Sequence, residues 1–299
     1  MVDPVIIGTV ALDSLETPFG KVQNVLGGSA SYASIAASFF SKPGILSIVG
    51  KDFPCKHIQF LNKRGIDTKG ITLGEKTFRW QGFYEFDMNE AKTLRTELNA
   101  LESYKVEVPE DYRNAKYVFL ANIDPELQLA ALAKIKKPEL VVMDTMNFWI
   151  EHKKKQLLEA IDKADVIVLN DAEARQLFNT PNLVKAAHAA LKLHSKAVII
   201  KKGEHGALLF TDNKHFNAPG YPLENIKDPT GCGDCFGGAF TGYLTKTQDL
   251  SEANMRKAVV YGSIIASYNA EGFSVEKLRA INHEDIEKRY KEFESIREF

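Results

Sequence analysis

Residues 140–169 read LVVMDTMNFWIEHKKKQLLEAIDKADVIVL, and this stretch decides the fold. It opens on the apolar run Leu140–Met143 and closes on Val166–Leu169, both short and rich in β-branched residues. Between them, Phe148–Ile161 is amphipathic at helical spacing. Two near-continuous apolar strands separated by a helix read as a parallel pair buried on both faces. The same rhythm extends outward through Val5-Ile6-Ile7, Ile45–Val49, Tyr117–Leu120 and Ala197–Ile200, with helices expected over Pro125–Ile135 and Leu183–Leu193. The pattern predicts a doubly wound α/β fold, a mainly parallel sheet with helices on both faces. Ligands of such a fold bind beyond the C-terminal ends of the strands.

One segment departs from this rhythm. From Phe78 to Phe86 aromatic residues fall at every second position (Phe78, Trp80, Tyr84, Phe86), with Gly82 between. Period-two alternation predicts a strand with one buried face. It reads either as an antiparallel edge strand of the main sheet or as a lid whose aromatic face covers a ligand or a partner subunit. The charged tail from Asn282 onward, with Ile286, Tyr290 and Phe293 at helical spacing, predicts a packing helix.

Composition narrows the function. The chain has 299 residues, 38 basic and 39 acidic, for a formal net charge of -1. The absence of a basic excess argues against a nucleic-acid partner. Its 44% hydrophobic and 26% charged residues are those of a cored globular protein. No run reaches the roughly 18–20 apolar residues of a membrane helix. The short Val5–Leu12 stretch, broken by Gly8 and Thr9 and preceded by no basic residue, argues against a signal peptide. Three cysteines indicate no disulfide framework, so a cytoplasmic location is expected.

The glycines are concentrated, most tellingly in Lys227-Asp228-Pro229-Thr230-Gly231-Cys232-Gly233-Asp234, which leads into the small apolar residues of a tightly packed helix. Successive backbone N–H groups at Gly231-Cys232-Gly233, with the positive end of a helix dipole, make an anion site. Asp234 in the first turn reads as a dipole-stabilising carboxylate or as a general base beside a bound phosphate. Competing motifs fail. Gly20-Lys21 and Gly50-Lys51 lack the Ser/Thr of a phosphate-binding Walker loop, and Phe236 stands where a dinucleotide fingerprint needs glycine. Cys232 and Cys235 form a C-x-x-C without the second pair a zinc site requires.

Asp228-Pro229-Thr230-Gly231-Cys232-Gly233-Asp234 resembles the D-T-G-A-G-D signature of the ribokinase-like, or PfkB, family of carbohydrate and nucleoside kinases. The resemblance spans nearly the whole chain. It implies a single ribokinase-like α/β domain over residues 1–299, with lid segments at about 12–24 and 72–104. By resemblance Asp234 is the catalytic base, and Gly231, Cys232 and Gly233 form the anion hole. Asn170-Asp171-Ala172-Glu173 is similar to the family's N-x-x-E, in which Asn170 and Glu173 organise Mg²⁺ largely through water; the same spacing is also a helix capping box. Asp13 matches the family's substrate carboxylate, and Gly27 and Gly28 its paired substrate glycines, while Tyr32 stands where the family often has asparagine. Lys202, Gly203 and Gly206 resemble the nucleotide-side K-G-x-x-G loop, with Thr230 and Asn269 assigned to the same nucleotide. The implied activity is transfer of the γ-phosphoryl group of ATP to a hydroxymethyl group of a sugar, using Mg²⁺ and leaving room for a monovalent cation such as K⁺. A nucleoside acceptor and a non-catalytic ligand-binding regulator are the alternatives. The lid also implies a homodimer.

Overall fold

The computed structural model describes residues 2–193, 195–212 and 214–298. Its strands are β1 (Val5–Ile7), β2 (Ala11–Thr17), β3 (Gly20–Gly27), β4 (Gly44–Gly50), β5 (Ile71–Gly74), β6 (Phe78–Tyr84) and β7 (Ala91–Glu97). They continue with β8 (Tyr117–Leu120), β9 (Leu140–Asp144), β10 (Val166–Asn170), β11 (Ala197–Lys201), β12 (Ala207–Thr211) and β13 (Lys214–Ala218). Nine of them form one sheet in the order β13-β12-β11-β10-β9-β8-β1-β4-β5. The run from β11 to β5 is parallel, and β12 and β13 close the edge antiparallel. The strands expected from the apolar runs all form, at or within a residue or two of the expected ends.

Strict alternation divides the core into two layers. Leu140 and Val142, Val166 and Val168, and Ala197 and Ile199 face one layer, which contains Cys235, Phe236, Ala239 and Phe240 of the helix Cys232–Thr247. Val141 and Met143, Ile167 and Leu169, and Val198 and Ile200 face the other, packed under the helices Lys154–Ile161, Asp171–Phe178 and Leu183–Leu191. Burial on both faces is why these strands read as continuous apolar runs.

The expected helix over 148–161 is two helices, Asn147–His152 and Lys154–Ile161, broken at Lys153, whose φ of −137° and ψ of 39° leave helical space. Lys153 instead donates through Nζ to Asp124 Oδ2 at 2.7 Å. The helix His283–Ile296 forms at the tail as expected and buries Ile286 and Phe293.

The aromatic strand β6 is not an edge of the large sheet. It belongs to a separate four-stranded sheet in the order β3-β2-β6-β7. Residues 72–74, by contrast, lie in β5 and pair with β4 of the large sheet. The aromatic alternation ends at Tyr84. Phe86 lies in the loop before β7 and is 88% exposed, so it shares no buried face with the others. Among the described residues no helix is long and apolar enough to cross a membrane.

Candidate active site

Three neighbouring parallel strands end in polar residues: β9 in Asp144, β10 in Asn170 and β11 in Lys201. By alternation all three share the face of Val142, Val168 and Ile199, the face covered by the helix Cys232–Thr247. That helix begins at these strand ends. Gly231 precedes it at φ 76°, a left-handed conformation that favours glycine, and a Cβ there would stand 2.4 Å from the Tyr32 ring. At Gly233 a Cβ would come within 2.9 Å of Lys201 Nζ. The helix start at Gly233 thus lies against a lysine, and a helix N-terminus and an ammonium both favour an anion.

Buried bonds hold the turn in place. Asp228 is fully buried, and its carboxylate accepts from Thr230 N at 2.9 Å and from Ser274 N at 3.1 Å. Asn269 Nδ2 donates to Thr230 O at 2.8 Å, so this residue, assigned to the nucleotide from sequence, is buried as a brace for the turn. Tyr32 is 1% exposed, and its ring packs under Gly231; it forms the floor of the turn. Burial pushes the Cys232 thiol up to about 12, which leaves it neutral and unreactive beside Asn269.

Asp234 follows in the first turn. Burial pushes its carboxyl up to about 7, the charge of Asp144 adds to this, and Lys201 opposes it. The helix dipole acts in the direction expected from sequence, but desolvation outweighs it. Asp13, on β2, is 4% exposed. Burial raises it to about 7 as well, against a hydrogen bond from Gly28 N–H and with the charges of Asp228 and Asp234 adding. Gly27 is obligatory beside it, since a Cβ there would lie 1.8 Å from Asp13 Oδ2. Gly28, at φ 91°, starts the helix Ser29–Ala37.

Asn170 and Glu173 form a full capping box. Asn170 Oδ1 accepts from Glu173 N, and Glu173 Oε2 accepts from Asn170 N, both at 2.7 Å. Burial pushes Glu173 up to about 8. Lys201 Nζ lies 2.8 Å from Asp144 Oδ2. Burial works to neutralise the amine, but the charges of Asp144, Glu173 and Asp234 outweigh it and raise its pKa. Sequence reasoning passed over both Asp144 and Lys201. The signal that could have found them was position: each is a polar residue ending an apolar strand of a parallel sheet.

Lys202, Gly203 and Gly206 lie in the tight turn that joins β11 to antiparallel β12, with Gly203–His205 as a 3₁₀ turn. The small sheet reaches toward the same edge. Asn89 Oδ1 is 3.7 Å from the position of a Gly203 Cβ, and Thr230 Oγ1 donates to Tyr84 Oη at 3.2 Å. Register sets the inner face of this sheet: Ala11 pairs with Phe78, Asp13 with Trp80 and Leu15 with Gly82. Phe78, Trp80 and Tyr84 therefore share the face of Asp13. A Cβ on Gly82 would meet the Trp80 ring at 2.4 Å, so the indole lies across that glycine, with Nε1 donating to Thr93 Oγ1 at 3.1 Å.

Known proteins resemble this chain in sequence and in fold. The chain is 30% identical over 258 residues to a cytidine kinase of Thermococcus kodakarensis, covering 84% of this chain and 92% of that one. It is 28% identical over 284 residues to a ribokinase of Lactococcus lactis, covering 89% and 92%. Among solved structures, a putative ribokinase II from E. coli in complex with ATP and Mg²⁺ superposes with a TM-score of 0.79 at 19% identity, over 98% of this chain and all of that one. Residues 7–278 match the family described as pfkB family carbohydrate kinase. With that match over most of its length and relatives aligned along nearly the whole chain, this chain belongs to the pfkB family of sugar and nucleoside kinases.

Proposed function

We propose that this kinase transfers the γ-phosphoryl group of ATP to the hydroxymethyl oxygen of a nucleoside, with Asp234 as base. The proton of the acceptor O–H passes to Asp234, the freed oxygen pair forms the new O–P bond, and the bond from the γ-phosphorus to the β,γ-bridging oxygen breaks. ADP departs with that electron pair. Phosphoryl transfer asks the protein mainly for positioning and charge stabilisation. The N–H groups of Gly231 and Gly233 supply the second at the helix start, Cys232 N–H being bonded to Pro229 O. Lys202, Gly203, Gly206 and Thr230 line the nucleotide side, and β2, β3, β6 and β7 act as a lid that excludes water.

The residues present fit Mg²⁺ held through its water shell. Asn170 and Glu173 offer hard oxygen donors, two of them already used in the capping box. Among the described residues no group of three or more His, Cys, Asp or Glu side chains forms a cage that could hold a metal. Such a set suits an ion that keeps its waters and binds phosphate. When bound, Mg²⁺ would neutralise charge on the nucleotide phosphates.

One observation carries the acceptor. The Trp80 indole lies across Gly82 on the lid face that bears Asp13. A carboxylate for ribose hydroxyls beside a flat aromatic surface matches a nucleoside, whose base supplies a ring to stack. The cytidine kinase relative supports the same acceptor. The exposed strand β7, with Leu94 at its surface, is where a second copy of the chain would pair through the lid. Purified protein with ATP, Mg²⁺ and either K⁺ or Na⁺ is offered cytidine, other nucleosides, ribose and fructose, and products are separated by chromatography. A nucleoside 5′-monophosphate as the fastest-formed product is expected; faster phosphorylation of a free sugar overturns the acceptor assignment.

A further inference from the structure

We propose that Lys201 is the protein's own cation for the transferring phosphoryl group, and that Asp144 is the positioning residue that holds it at the glycine turn. The inference rests on the kinase reading above. Lys201 ends β11 beside Asn170, its partner in the ladder, and Asp144 ends β9 on the far side of β10. Neighbouring strands lie about 4.8 Å apart, so the lysine stem must cross the end of β10 to reach Asp144. That crossing lays its amine over the strand ends, on the face where the helix Cys232–Thr247 begins.

The amine is held with donors to spare. Nζ is 2.8 Å from Asp144 Oδ2 and makes no other hydrogen bond among the described residues. Its side chain is 16% exposed and that of Asp144 4%. A buried ammonium has three donors, and this one uses a single donor. Nζ itself sits against Gly233, where a Cβ would stand 2.9 Å from it. The helix dipole and the N–H groups of Gly231 and Gly233 favour an anion in the same place, while Cys232 N–H donates to Pro229 O at 3.1 Å. A lysine serving only to neutralise Asp144 would not need to lie against the anion-binding turn.

In the transfer, the charge that develops on the γ-phosphoryl oxygens is met by the two free N–H donors of Lys201. Asp144 keeps the amine from swinging toward Asp234, whose carboxylate must stay free to take the acceptor's proton. Bonds made and broken are those of the reaction already written; Lys201 neither gains nor loses a proton. Preorganised donors of this kind contribute most where charge appears in the transition state.

The test compares wild type, Lys201→Met, Lys201→Arg and Asp144→Asn by kcat with the best acceptor and by calorimetric affinity for ATP and for ADP without acceptor. Lys201→Met should lower kcat by about 10²–10³-fold. It should weaken ATP binding by about tenfold and leave ADP binding within about threefold, because ADP lacks the group the lysine meets. Lys201→Arg should recover part of both losses, and Asp144→Asn should narrow the difference between ATP and ADP. The double variant Lys201→Met/Asp144→Leu removes both charges together, so that no single buried charge is left to unfold the site. Wild-type kcat in folded Lys201→Met or in the folded double variant, or equal loss of ATP and ADP, overturns the proposal. A wild type that binds ATP but phosphorylates no nucleoside overturns only the acceptor reading, and the ATP–ADP contrast still decides the role of Lys201. A wild type that binds no ATP overturns both.

Discussion

At the scale of single residues, the proposed base Asp234 sets the expected pH dependence. Its carboxyl lies near 7 because burial favours the neutral form, and Asp144 reinforces this against Lys201. A base must be deprotonated to act, so the rate rises with pH until about 7 and then levels. Asp13, raised to about 7 by its own burial, titrates in the same range. The acidic limb of kcat/KM should therefore fall by between one and two decades per pH unit, and Asp13→Asn should reduce that slope toward one; a profile flat from pH 5 to 8 would contradict both roles. Asp234→Asn should lower kcat by about 10²–10⁴-fold while ATP affinity stays near normal, measured by steady-state kinetics and calorimetry. Trp80→Ala should weaken nucleoside binding by about 5–150-fold, the range of one base–aromatic stack, and change the KM for free ribose far less.

At the scale of elements, the turn and helix from Asp228 to Thr247 depend on contacts from distant parts of the chain. Asp228 accepts N–H bonds from Thr230 and Ser274, and Asn269 holds Thr230 from the end of another helix. Asp228→Ala leaves the buried Ser274 N–H and the partly buried Thr230 N–H without partners. It should lower unfolding free energy by about 1–3 kcal/mol in a denaturant titration, and activity should fall with it because Gly231 loses its anchor. The turn motif and its helix were legible in sequence because glycine and an N-terminal acid have local causes. Lys201 and Asp144 were not, since nothing in their own segments says that they meet across β10. The break at Lys153 was likewise hidden: the apolar spacing runs through it, and the contacts of its amine with Asp124 and Glu126 mark it. Trp80 was visible as part of an aromatic strand, but its side of the sheet came from the pairing of Asp13 with Trp80.

For the whole molecule, the cleft carries a stability cost. Free aspartate titrates near 3.9, while Asp13 and Asp234 titrate near 7 when folded. Between those values the folded chain holds two protons that the unfolded chain has released. The contribution of these groups is thus fully present below about 4 and is lost as pH rises to about 7. The variant Asp13→Asn/Asp234→Asn, which cannot ionise there, should melt higher than wild type at pH 8, by a margin that shrinks at pH 5. The margin is on the order of a few kcal/mol. A constant difference across that range would remove buried ionisation as its cause.

The sequence by itself determined the α/β alternation, the two-sided burial of the strands and the glycine turn with its acidic residue. Each follows from local side-chain chemistry: β-branched runs pack on both faces, and a glycine at φ 76° opens a helix end. Only the tertiary structure decided which charges cluster together and which face of the small sheet bears Asp13. Those depend on strand order and register, which bring Asp13, Asp144, Lys201 and Asp234 together from four separate segments. Desolvation in that shared space then moves their proton affinities by an amount no local sequence records.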